Sequence, residues 1–165
     1  MDWLLFFEKG IWLGFAALGF AILFNVPART LWIIAVLGAL GGLTKVLILS
    51  ADAGIVLATL AGASVIGLLS LFAAYNKHAP PMVFAIPAVI PMVPGVFAYR
   101  MMLGFIHLAG NLNTPTYNEV LAQTVNNGLK TFFILFALAA GVAFPMLITR
   151  KESIKEIKYS RKTRK

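Results

Sequence analysis

The feature that most constrains this chain is its series of apolar runs, each close to 20 residues and almost free of charge. A helix needs about 20 predominantly apolar residues to cross the hydrocarbon of a bilayer. One run extends from about Trp3 to Phe24, a second from Thr30 to Leu49, and a third from Gly54 to Tyr75. A fourth starts near Met82, is interrupted by Pro87, Pro91 and Pro94, and ends near Tyr99, while a fifth covers Gly128 to Ile148. The stretch from Arg100 to Asn126 is mixed, with a polar centre at 111–118, and reads as a connection. The runs are too long for barrel strands and lack period-two alternation. The expected fold is therefore an all-α integral membrane protein of about five transmembrane helices, one of them broken by prolines. Residues 1–149 form the membrane domain, and 150–165 a basic tail.

Composition agrees: 60% of residues are hydrophobic and only 12% are charged, against roughly half and a quarter in soluble domains. The net charge of +8 is concentrated in the tail, where eight basic residues face two acidic ones. This places the tail on the cytoplasmic side of an inner membrane, in reach of anionic lipid. With the tail inside, five crossings put Arg29 and Lys77 inside and Asp52, Glu119 and the N-terminus outside, leaving Arg100 as the exception. The runner-up has four spans, with the second run re-entrant or interfacial and both termini inside. No basic face interleaved with aromatics suggests a nucleic-acid partner. The chain has no cysteine, and its two histidines, His78 and His107, stand singly. Metal ligation, a cofactor site and enzymatic catalysis are thus not expected, and the absence of a phosphate-cradling loop excludes a nucleotide-driven pump.

Small residues recur at helical spacing: Gly10, Gly14, Ala17 and Ala21, leading to Asn25; Gly38, Gly41 and Gly42 with Lys45; Gly54, Ala58, Ala61 and Gly62. Such faces let membrane helices approach closely. They serve helix packing, or they line a path.

The stretch from Phe84 to Tyr99, FAIPAVIPMVPGVFAY, is the most informative. A proline inside a helix removes one N–H and leaves the carbonyl four residues earlier without its donor. Those carbonyls would be on Val83, Pro87 and Ile90. Free carbonyls at membrane depth are tolerated only where protein or a water-filled cavity supplies partners. Pro94-Gly95 marks a break, after which a half-helix would point its N-terminus at a substrate anion. A plain kink is the alternative. Pro87, Pro91, Pro94 and Gly95 are the candidate gating residues, and Pro91, Pro94 and Gly95 also candidate binding residues. Lys45, an ionisable residue inside a span, is a second candidate, either for binding or as a snorkelling side chain. Lys130 carries the same ambiguity, and Asn127 is a binding candidate or a helix cap.

Phe24-Asn25-Val26-Pro27, the Gly38 to Lys45 stretch, and Ala88-Val89-Ile90-Pro91-Met92-Val93-Pro94-Gly95 followed by Tyr99 together resemble the threonine/serine exporter family, in its small-subunit (YjjB-like) group. Asn127, Gly141 and Pro145 fall where that pattern would put them. The resemblance implies one half of a two-component secondary exporter, similar to the C-terminal membrane half of single-chain members. The other half would be a larger, YjjP-like membrane subunit. Implied substrates are threonine and serine, or C4-dicarboxylates such as succinate, with Lys45 at a basic position of the group. A scaffold or assembly partner that does not itself transport is the alternative.

Overall fold

The computed structural model describes residues 3–110 and 117–149; the basic tail and the centre of the polar connection lie outside them. Six α-helices make up the described chain: α1 (Trp3–Leu23), α2 (Leu31–Ser50), α3 (Ile55–Lys77), α4 (Pro81–Val89), α5 (Gly95–Gly110) and α6 (Tyr117–Thr149). Single 3-10 turns precede α2 and follow α4. The chain is an all-α membrane protein. α1, α2, α3 and α6 are each long and apolar enough to cross a membrane, and α4 with α5 forms a further candidate span bent by 56°. α2 is an unbroken apolar helix, so the bent element is the α4–α5 pair rather than the second run.

The small residues set the packing. Gly10, Gly14, Ala17 and Ala21 are the buried residues of α1. A methyl group on Gly38 would collide with Ala17, and one on Gly14 would sit 3.0 Å from the Ala35 carbonyl, so α1 and α2 touch nearly backbone to backbone. Gly41 of α2 meets Ile66 and the Gly62 carbonyl of α3 in the same way. Lipid offers apolar helices no hydrophobic reason to associate, so this close dispersion contact is what holds them. Gly54, by contrast, is not on a packing face. It precedes α3 with a φ of 78° and open space around it, a turn conformation that favours glycine.

The pairings also fix direction. Gly10 lies by Leu43 and Ala17 by Gly38, so α1 and α2 are antiparallel. Gly41 near Ile66 and Lys45 near Gly62 make α2 and α3 antiparallel. Ala63 and Gly67 lie by Gly141, and Leu71 shares a cleft with Met146 and Leu147, so α3 and α6 run the same way. Trp3 and Thr149 therefore sit at opposite ends of the bundle. α4 threads between α1, α2 and α3, with Phe84, Ala85 and Ala88 in the core beside Ala17, Ala21, Ile34 and Ile66. Large apolar side chains such as Trp12, Phe15, Phe72, Phe136 and Phe144 point outward, as a lipid-facing surface requires.

The polar connection is more helical than expected. α5 continues past Tyr99 to Gly110, and α6 begins at Tyr117, well before Gly128. The two pack against each other because Gly104 leaves room for Thr124, and Gly128 for Met101. The Thr124 hydroxyl is satisfied locally by the Val120 carbonyl at 2.6 Å.

Candidate functional site at the broken helix

Each proline shapes the break differently. Pro87 lies inside α4, which continues through it. Pro91 belongs to the 3-10 turn Ile90–Met92, where the Val93 N–H donates to the Ile90 carbonyl at 3.0 Å. One of the carbonyls expected to be free is thus satisfied by tightening from i→i−4 to i→i−3 bonding. Pro94 makes the real interruption. A residue before proline is driven out of the helical region, and Val93 is extended with ψ 136°. α5 then restarts, with the Ala98 N–H bonded to the Pro94 carbonyl at 3.1 Å. Gly95 needs no special backbone: nothing lies within 4 Å of the position a Cβ would take, and its φ is not positive.

Lys45 meets this break directly. Its Nζ donates to the Met92 carbonyl at 3.2 Å, across 47 residues of sequence. The ammonium is half-buried, and among the described residues no carboxylate pairs with it. Its path depends on Gly62: a Cβ there would lie 2.7 Å from Met92 Cε, 3.3 Å from Lys45 Cβ, and against the Gly41 carbonyl. Lys45 stands fourteen residues into α2, about 21 Å from its start, and Met92 lies about 17 Å beyond Pro81, at 1.5 Å per residue. Both therefore fall past the middle of a hydrocarbon core about 30 Å thick. The side chain turns to the break instead of running to the nearer helix end.

Lys130 of α6 approaches the same break. Its Nζ lies 5.6 Å from the centroid of Phe97, in the first turn of α5. Asn127, half-buried one turn earlier on the same face, sits within α6 and not at a helix edge. Its carbonyl accepts from the Thr131 hydroxyl at 2.8 Å. Met92, Phe97, Gly62 and Thr131 were not legible as site residues; only the spacing of Asn127 and Lys130 hinted at this face. His78 caps α3 in a left-handed conformation, and His107 is exposed on α5. No group of potential metal ligands exists among the described residues. An apolar cleft of about 510 Å³ lies elsewhere, between Leu71, Pro81, Met82 and Met146 at the far end of α4.

Fold and site together define a polytopic helical membrane protein whose interrupted helix is pinned by a lysine from a neighbouring span. Its sequence matches the family model described as "Threonine/Serine exporter, ThrE" over residues 9–148. The chain belongs to the threonine/serine exporter family. It is also similar to a protein of Haemophilus influenzae (strain ATCC 51907 / DSM 11121 / KW20 / Rd) described as uncharacterized, with 36% identity over 132 residues. That match covers 80% of this chain and 43% of the relative, so the chain spans less than half the relative's length. No solved structure matches.

Proposed function

We propose that this chain is one half of a secondary exporter for a small carboxylate-bearing solute, of the threonine/serine type or a C4-dicarboxylate such as succinate. The observation that carries the reading is the Lys45 Nζ bond to the Met92 carbonyl. It puts a cation with donors to spare at the interruption between α4 and α5, where a half-helix N-terminus also begins. An ammonium has three donors and a carbonyl neutralises none of its charge, so a substrate carboxylate is the natural second partner. Pro91 and Pro94 build the break, Lys45 binds, and Lys130 and Asn127 flank the start of α5.

The Haemophilus relative is more than twice as long as the matched region. This supports a second membrane half, which this chain would obtain from a separate, larger subunit. The charges at the two ends of the bundle support the orientation. Arg29 and Lys77 share one end, where Lys77 Nζ lies 5.9 Å from the Trp32 ring centroid, an interfacial anchor. Asp52 lies toward the other end. The tail is then cytoplasmic and the membrane the inner one.

The same hydrogen bond favours a second reading, in which Lys45 only staples α2 to the break and the chain is a structural partner. Counterflow in proteoliposomes containing this chain and the larger subunit separates the two. Lys45→Met should abolish export of a carboxylate substrate, and Lys45→Arg should retain part of it. Near-normal export by both would remove Lys45 from substrate recognition.

A further inference from the structure

The pairing of α5 with α6 sets the depth of α5. Phe97 lies by Lys130, Met101 by Gly128 and Gly104 by Thr124, so α5 runs antiparallel along the first part of α6. That part of α6 exposes Asn118, Glu119, Gln123 and Asn126, which cannot face hydrocarbon. The apolar run 131–148 alone is about 27 Å long and already suffices to span. Beyond its first turn, α5 therefore stands at the level of a stretch that lipid tails do not cover.

The face of α5 turned away from α6 is nonetheless apolar. Tyr99, Met102, Leu103 and Ile106 follow the i, i+3, i+4, i+7 pattern of a helix stripe, and Ile106 is 62% exposed. They lie opposite Phe97, Met101 and Gly104, which meet α6. Arg100 and His107, seven residues apart, line one flank of the stripe and are exposed. We infer that this α5 face docks a helix of the second membrane half, through an apolar stripe flanked by a carboxylate opposite Arg100. A second copy of this chain fits less well, because its own α5 carries no acidic residue to set opposite Arg100. The unmatched 57% of the relative's length is a source for such a helix. The partner's identity rests on the exporter reading; the face itself rests on geometry and charge.

The test places a photoreactive benzophenone amino acid at Ile106 in the full chain, in its native membrane, with a control at lipid-facing Phe72. The expected adduct at 106 is with a multi-pass membrane protein larger than this chain. A repulsive charge at an interface rim disfavours association, so Arg100→Glu should reduce that adduct by about tenfold while Arg100→Lys keeps it. Membrane abundance of each variant is measured alongside. Lipid adducts alone at 106, an adduct of two copies of this chain, or an adduct indifferent to Arg100→Glu would each overturn the inference. Counterflow is measured in the same membranes; an adduct without counterflow upholds the face and refutes the exporter reading.

Discussion

Replacing Lys45 by methionine should loosen the break by an amount that can be worked out. Methionine keeps most of the length of the side chain but removes the donor that the Met92 carbonyl accepts at 3.2 Å. Met92 is only 3% exposed, so water does not readily replace that donor. A hydrogen bond to a charged group contributes about 1.5–3 kcal/mol, and about 2 kcal/mol is a fair value for one bond of this length. At 1.4 kcal/mol per factor of ten, that raises the population of the opened break by about 30-fold. The chain has no cysteine, so Met92→Cys supplies a single thiol reporter whose backbone carbonyl is unchanged. Where opening and closing are fast, the maleimide labelling rate follows the open population. Adding Lys45→Met to Met92→Cys should thus accelerate labelling by about 30-fold, with a much smaller effect from Lys45→Arg, which still donates. A change below about threefold, less than 0.7 kcal/mol, would mean that the lysine does not hold the break and that the reasoning from this bond is wrong.

Pro94→Ala should let Val93 return to the helical region and straighten the α4–α5 pair, inserting normally but lowering counterflow; Gly95→Ala alone should leave transport intact and stabilise α5 by up to about 1 kcal/mol, because the added methyl meets open space. Normal counterflow by Pro94→Ala would reduce the break to a kink. Gly67→Val should lower the melting temperature in detergent, since even a Cβ lies 3.0 Å from the Gly141 and Val142 carbonyls and such overpacking costs about 1–3 kcal/mol; an unchanged melting curve would show that α3 and α6 do not rely on this crossing. A reporter fused after Lys165 should read cytoplasmic and one before Met1 external; two cytoplasmic readings would refute five crossings.

The helices were legible where lipid dictates the sequence. The ends of α1, α2 and α3 fall within about two residues of the apolar runs, and the faces from Gly10 to Ala21 and from Gly38 to Gly42 are buried as their spacing implies. The stretch around Arg100 to Asn126 was misjudged because hydropathy reports which solvent a residue tolerates, not whether its backbone is helical. Exposed Asn118, Glu119 and Gln123 are compatible with a helix that packs through Thr124 and Gly128. At the site, the sequence marked Lys45 and the prolines separately. That they meet is a matter of helix register between α2 and α4, set by contacts around Gly41 and Gly62 and invisible to local pattern. The rescue of the Ile90 carbonyl by Val93 is equally hidden, since it depends on the turn type chosen after α4.

α3 and α6 pack over several turns, from Leu60 and Ala63 to Leu71, with Gly67 and Gly141 at their closest approach. α6 is one helix of 33 residues, and Gly141 divides it unequally. About 36 Å lies toward Tyr117 and about 12 Å toward Thr149, at 1.5 Å per residue. α3 begins only twelve residues before Gly67, about 18 Å away, so the Tyr117 end of α6 extends about 18 Å past it and packs on α5 instead.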